Sequence, residues 1–272
     1  MGGYILPKGY LSASSISTML KCPMQFYYRY VQDIVIPPGA ALVTGSVAHK
    51  SFEQYYNLVI QANDRLTEEQ AGEMAAAEFD AYISGSEVAM TQQEKDKAKP
   101  DVVNVVSKYV KHIASGVTPI ACEEQFKVAM PCGVDILGFV DLKHRLSDGG
   151  TGIIDYKITN KAWSIGTLRN SIQFMLYSML TGLHDVQVHN ITKTKYKPFA
   201  DESPEVDGVR KVASNMQVLH HNFDASILRH LDTLVESVAT SISSGIFIPC
   251  DPSSWCCTPE WCGYWNLCRG RG

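Results

Sequence analysis

Residues 121–158 constrain the fold more than any other stretch of this chain. They read as three strands in succession, 121–130, 133–146 and 151–158, divided by turn signals at Pro131–Gly133 and Ser147–Gly150. The second and third strands carry apolar runs, yet each run leads to an acid. Asp141 ends ILGFVD, and Asp155 follows Gly-Ile-Ile. Charges flanked by buried strand residues need a partner or a metal. Asp155 and Lys157 are two apart on one strand and therefore face the same side. The turn between the strands makes them neighbours and brings Asp141 near Asp155.

The flanking segments are largely helical before this meander and mixed after it. Residues 12–31 read as two short helices, the first capped by Ser12 or Ser14, the second carrying Pro23 in its first turn. Pro37, Pro38 and Gly39 mark a loop over 33–44. From Gly45 to about Gln61 the stripe Phe52, Tyr55, Tyr56, Val59 and Ile60 predicts a helix, with His49 and Glu53 sharing a face. Residues 66–115 predict two more helices and carry no chemical signal, so 63–119 reads as a helical insertion or cap. After the meander come a helix over about 165–182, a strand near 186–194, another near 209–221, and a long helix from Asp224 to Gly245. This order predicts a mixed α/β core behind an N-terminal helical region.

The length, 272 residues, allows one to two domains and a core that needs no staples. At 45% hydrophobic and 19% charged, the composition excludes a disordered chain, a collagen or a coiled coil. No apolar run approaches the roughly 20 residues of a membrane span, and no secretory signal is visible at the N-terminus. The net charge of −4 argues against nonspecific coating of nucleic acid.

Four local features converge on the strands and the helices beside them: Asp141, the pair Asp155 and Lys157, His49 in GSVAH, and Gln173 with Tyr177, four apart on the helix after the third strand. Singly, each is an ordinary surface or packing pattern. Together, two carboxylates, an imidazole and a lysine make a site for a hard cation such as Mg²⁺ or Mn²⁺. Such an ion polarises a phosphoryl oxygen and lowers the pKa of a bound water. Glu123 or Glu124 on the first strand is a further possible acidic ligand, against the reading that both lie on a plain surface strand.

In order along the chain, GSVAH (45–49), GFVD (138–141), IDYK (154–157) and QFMLY (173–177), with the opening SASSISTMLKCPMQFYYRYV, resemble the PD-(D/E)xK nuclease superfamily in its RecB-like branch. The iron–sulfur members of that branch, among them the AddB-type nuclease domain, the CRISPR-associated exonuclease and phage-encoded relatives, are similar in their tails as well. The resemblance implies a single restriction-endonuclease-like domain over 1–272, a central mixed sheet flanked by helices. It implies His49, Asp141, Asp155 and the Tyr156 carbonyl as ligands of Mg²⁺ or Mn²⁺, Lys157 as catalytic lysine, and Gln173 and Tyr177 as groups that contact DNA or brace the site. The activity implied is metal-dependent hydrolysis of DNA, as an exonuclease on single strands or ends in recombination, repair or phage replication. A bacterial or phage-infected cytoplasm and a helicase or recombinase partner go with it. Two positions depart from the commoner pattern: the third-motif acid is Asp155 rather than Glu, and Val140 stands where the motif's proline would be.

Five of the eight cysteines fall in the last 23 residues, in the Cys-rich tail 246–272. Cys257-x4-Cys262-x5-Cys268 leaves a four-thiolate site one ligand short, and Cys22 at a helix junction is the natural fourth. The resemblance implies a [4Fe–4S] cluster on one N-terminal and three C-terminal cysteines. Many such relatives have C-x2-C-x5-C in the tail. The wider first gap here leaves Cys256 and Cys257 as alternatives, with Cys257 preferred, and the same thiolates would suit a structural Zn²⁺. Cys122, Cys132 and Cys250 lie in apolar contexts that suggest ordinary packing.

Lys193, Lys195 and Lys197 alternate at a strand end and suggest either a phosphate-tracking row or a lysine-protected edge. Arg169 lies where it would reach the same groove. Tyr27, Tyr28 and Tyr30 suit stacking on bases or packing around the cluster. Two other readings remain at this point: a CRISPR-type nuclease that trims DNA for spacer integration, and a non-catalytic DNA-end-binding module. No GxxxxGK[ST] loop occurs, so an unwinding motor would be another chain.

Overall fold

Prolines and cap residues set most element boundaries in the computed structural model, which describes residues 4–193, 196–199, 204–224, 226 and 230–270. Ser12 caps α1 (Ala13–Lys21), and Pro23 opens α2 (Pro23–Phe26), which runs into one π turn, Tyr27–Val31. The Pro37-Pro38-Gly39 loop stops there, and α3 spans Ala40–Ala62. It begins five residues before the expected Gly45, because nothing in Ala-Ala-Leu-Val-Thr opposes a helix once the prolines are past. Thr67 and Thr91 form capping boxes for α4 (Glu68–Gly85) and α5 (Gln92–His112).

The meander follows as β1 (Pro119–Ala129), β2 (Asp135–Arg145) and β3 (Thr151–Thr159). The single helix expected next is two: α6 (Ile165–Arg169) and α7 (Ile172–Thr181). The Asn170 side chain donates to the Gly166 carbonyl at 2.9 Å, and this local bond ends the first helix. Then come β4 (Asp185–Thr192) and a hairpin, β5 (Val209–Ala213) and β6 (Met216–Asn222), in place of the one strand expected over 209–221. The described part of the long helix is α8 (His230–Ser243), and α9 (Trp265–Cys268) lies in the tail.

The six strands form one mixed sheet in the order β1-β2-β3-β4-β6-β5. β2 and β3 are antiparallel with Leu142 opposite Ile154, and β3 and β4 are parallel with Asp155 beside Val188. One step beyond the Leu142–Ile154 pair, Asp141 stands across from Asp155 on the same face.

The chain divides into two compact units. One comprises 37–124 and 139–224. Its core joins Val43, Phe52, Tyr56, Val106 and Tyr109 from the helices to Leu142, Ile154, Tyr156 and Ile191 from the strands. The other comprises 1–36, 125–138 and 225–272, with Leu11, Ile16, Phe26, Leu231 and Val235 buried. In this second unit Gly138 of GFVD lies under the Phe126 ring, and a Cβ there would stand 2.3 Å from Phe126 Cζ. Gly138→Ala must displace the ring. We expect urea unfolding to show a loss of about 1–3 kcal/mol, the usual cost of overpacking.

Beneath the sheet face opposite Asp155, Tyr109 packs on Phe52 at 4.3 Å and Tyr156 at 5.6 Å. Gln187 Oε1, an acceptor, lies 3.3 Å from His189 Nε2, so that nitrogen carries the hydrogen and Nδ1 accepts from the Tyr109 hydroxyl at 2.9 Å. Burial holds the His189 imidazole down at about 3. The unfolded chain therefore takes up this proton first. Stability from His189 is complete above its unfolded pKa of about 6.5 and falls as pH drops toward 3, by about 1.4 kcal/mol per pH unit. Between pH 7 and pH 5 the wild type should lose roughly 2 kcal/mol on this account. His189→Asn, which keeps an acceptor but does not titrate, should remove that part of the slope in urea melts at the two pH values.

Candidate functional site

The site is built on the face of β2 and β3 that carries Asp141, Asp155 and Lys157. The Phe52 ring of α3 packs on Tyr156 at 4.7 Å, which sets the rotation of that helix. One turn earlier His49 then meets the β3 backbone, and its Nε2 lies 2.9 Å from the Tyr156 carbonyl oxygen. A carbonyl only accepts, so Nε2 carries the hydrogen. Nδ1 is left facing Asp141 Oδ2 at 3.3 Å. Two acceptors at that distance share either a proton or a cation. The same Asp141 oxygen accepts from the Tyr156 backbone N–H at 3.0 Å.

Asp155 is 1% exposed. Its Oδ2 lies 2.5 Å from Lys157 Nζ, and its Oδ1 accepts from Gln173 Nε2 at 2.9 Å. Lys157 Nζ in turn donates to Gln173 Oε1 at 3.2 Å. The three side chains form a closed ring that fixes the lysine and the acid relative to one another. Phe174 and Trp163 flank the ammonium at 5.5 and 5.9 Å from their ring centroids. Tyr177 lies on the same face of α7 as Gln173, and burial and then Asp155 push its phenol up.

The two glutamates of β1 have different neighbours. Glu124 pairs with Lys143 at 2.7 Å. Glu123, with His49 and Asp141, places ligand atoms all within 4.8 Å of one another. Adjacent strand residues normally point to opposite sides. Glu123 has φ +47°, a left-handed conformation that breaks the alternation, so both glutamates serve the face of Asp141 and Lys143. No sequence signal marks this left-handed residue; the Glu-Glu pair leaves open whether either of the two meets the site.

Burial, followed by the charge of Asp155, raises the Asp141 carboxyl well above its usual range, while Lys157 opposes this. Burial and then Glu53 raise Glu123. Burial lowers the His49 imidazole, and Asp155 acts against that shift. A neutral imidazole beside carboxyls that resist ionising is a donor set suited to a divalent ion, whose charge would favour the ionised acids.

Of the basic residues expected to track DNA, Arg169 and Lys193 have partners within the protein. Arg169 pairs with Asp207 at 2.9 Å. Lys193 lies past the end of β4, half-buried, and donates to the Ala41 carbonyl at 3.3 Å. Lys197 is described at its backbone, where its N–H donates to Ser214 Oγ at 2.8 Å. Lys195 lies outside the described residues.

The cysteines group in the other unit. Cys22, Cys257, Cys262 and Cys268 line one cavity together with Cys250 and Cys256. Cys250 thus belongs with the thiols, a correction to its reading as a packing residue; the Pro-Cys-Asp context gives no hint that the chain folds back there. Cys122 packs against the helical core, and Cys132 donates its N–H to Asp232 at 3.0 Å. Tyr27 and Tyr28 are packed rather than free, Tyr27 against Phe247 at 5.1 Å and Tyr28 against Tyr264 at 5.7 Å.

Acids on two adjacent strands of a mixed sheet, a lysine one step past the second acid and a histidine from a flanking helix define a class of α/β nuclease core. The chain belongs to the PD-(D/E)XK nuclease superfamily, whose family model matches residues 10–269. It is 20% identical over 223 residues to an ATP-dependent helicase/deoxyribonuclease subunit from Streptococcus mutans serotype c, covering 78% of this chain and 20% of that protein. The protein of the same name from Streptococcus pyogenes serotype M49 is 24% identical over 201 residues, 69% of this chain and 18% of that one. The chain spans about a fifth of the length of these relatives. The solved structure entitled "Crystal structure of SSO0001" superposes with a TM-score of 0.36 at 12% identity, over 66% of this chain and 80% of that one, a likeness too low to support any conclusion. Among the described residues no helix is long and apolar enough to cross a membrane.

Proposed function

We propose that this chain is a Mg²⁺- or Mn²⁺-dependent deoxyribonuclease, an exonuclease acting on single strands or DNA ends in recombination, repair or phage replication. The observation that carries this is the closed Asp155–Lys157–Gln173 ring set beside His49, Glu123 and Asp141. The residues fit a divalent ion. His49 would ligate through Nδ1, its Nε2–H anchored on the Tyr156 carbonyl, which keeps a second lone pair of its own. Asp141, Asp155 and Glu123 supply the oxygens. When bound, the ion polarises a phosphoryl oxygen and acidifies a water. Lys157 supplies positive charge where negative charge develops on the phosphorus oxygens, and Gln173 holds it there. DNA as substrate and a helicase partner are suggested by the names of the streptococcal relatives.

The test uses anaerobically purified protein and single-stranded DNA labelled at its 5′ or 3′ end, with Mg²⁺ or Mn²⁺. The wild type should shorten the strand from one end, and Asp155→Ala should not. Equal activity in the two proteins would overturn the catalytic assignment, and internal cuts would replace exonuclease by endonuclease action.

We also infer a [4Fe–4S] cluster on Cys22, Cys257, Cys262 and Cys268. The support is that these four thiols line one cavity, with Cys22, Cys257 and Cys268 all near Cys262.

A further inference from the structure

Six thiols line the cavity in the tail, whereas a four-iron cluster takes four. Setting aside Cys22, Cys257, Cys262 and Cys268 leaves Cys250 and Cys256, and these two are in contact, Sγ to Sγ 3.9 Å. The segment between them turns tightly. Asp251 accepts from the Ser253 N–H at 2.7 Å, and the Ser254 N–H donates to the Asp251 carbonyl at 2.9 Å. The Cys250 backbone is turned elsewhere, its N–H donating to Cys22 Sγ at 3.5 Å. An amide hydrogen on a ligand sulfur is how a protein supports a cluster from outside its ligand set. Cys250 therefore serves the site through its main chain, and its thiol, which also neighbours Cys22 and Cys257, has Cys256 as its sulfur contact at 3.9 Å. Ser254 Oγ lies 3.3 Å from the Cys256 sulfur and helps to hold it toward that partner.

We propose that Cys250 and Cys256 are a peroxide-oxidisable dithiol beside the cluster site, separate from its ligands. The inference rests on the ligand assignment made above. One sulfur attacks the O–O bond of hydrogen peroxide, giving a sulfenic acid and one water. The second sulfur attacks the first, forming the S–S bond and expelling the oxygen as a second water. Each sulfur gives one electron, the peroxide takes two, and both thiol protons leave in the waters. Closure needs the sulfurs to approach to about 2.05 Å, a movement within reach of side-chain rotation. The product is a small ring that braces the loop carrying Cys257.

The experiment treats the anaerobically purified full chain with hydrogen peroxide at increasing ratios, then alkylates free thiols. The chain is cleaved at its acidic residues without reduction, because Asp251 and Glu260 separate Cys250, Cys256 and Cys262 into different peptides, and the linked peptide 252–260 is fragmented to tell Cys256 from Cys257. The expected result is a Cys250–Cys256 disulfide forming at the lowest ratios while iron and the absorbance near about 400 nm remain. Cys250→Ser and Cys256→Ser should each abolish the cross-link and keep iron, whereas Cys257→Ser should lose iron. Iron loss in Cys250→Ser or Cys256→Ser would overturn the proposal, as would earlier cross-linking of any assigned ligand, or both thiols being alkylated after peroxide. A wild type purified without iron would defeat the cluster reading instead, and the same mapping on that protein would still decide whether the two thiols pair.

Discussion

Lys157→Met is expected to slow cleavage of end-labelled single-stranded DNA at saturating Mn²⁺ by about 10²–10³-fold, the usual loss on removing one preorganised charge from a reacting centre. The chain fold fixes this ammonium unusually well: one oxygen of Asp155 at 2.5 Å, the Gln173 carbonyl at 3.2 Å, and aromatic rings on two sides. Methionine keeps the length and the contact with Phe174 and Trp163 but not the charge. Its cost should therefore fall on the single-turnover rate, with Mn²⁺ affinity by calorimetry kept or raised. The sign for affinity follows from Asp155, which at 1% exposure loses its cationic partner and gains more from a bound ion. For the same reason the metal-free variant should unfold at lower urea, and added Mn²⁺ should recover more stability in it than in the wild type. A rate within threefold of wild type would show that the lysine is only a structural partner of Asp155.

What the sequence could and could not reveal follows from how far each interaction reaches. Asp141, Asp155 and Lys157 are legible because a charge leading out of an apolar strand has few physical explanations, and a two-residue period fixes its side. His49 is legible only in company, since its placement depends on Phe52 and Tyr156 meeting across the core. The left-handed conformation of Glu123 is not, because a positive φ at a non-glycine residue follows from the surroundings and not from a local preference. The α6–α7 break is hidden in the same way, by one side-chain bond from Asn170 to a carbonyl four residues back. Cys250 is misread from its context because neighbouring residues in sequence say little about a loop whose turn is made by Asp251 and Ser253. Lys193 is a different case. β4 stops at Thr192, so strand alternation does not extend to Lys193, which instead reaches the Ala41 carbonyl.

Cys262→Ala should reduce bound iron to background, remove the absorbance near about 400 nm and lower the stability of the unit that contains the tail. Cys262 is the thiol whose loss is hardest to replace, since Cys256 stands next to Cys257 but no cysteine adjoins Cys262. A link from Cys22 to the tail closes a loop of more than 230 residues, and in the entropic model of cross-links such closure contributes on the order of 4–5 kcal/mol. This contribution acts on the unfolded chain; in the folded state the same two segments are joined by other contacts as well. Tyr264 donates its hydroxyl to the Ile34 carbonyl at 3.0 Å and stacks on Tyr28 at 5.7 Å. Gly263 sits so close to Ile36 that a Cβ there would stand 2.9 Å from Ile36 Cγ2. These contacts survive the substitution, so the tail should stay docked in the native state while the unfolded chain gains its freedom. The variant is therefore expected to lose stability with little change in the environment of Tyr264 and Trp265, which near-ultraviolet circular dichroism can follow alongside urea melts. Cys122→Ala, in the other unit, provides the control and should leave iron unchanged. Unchanged iron in Cys262→Ala would refute it as a ligand, and iron loss with unchanged stability would show that the cluster does not cross-link the two ends of the chain.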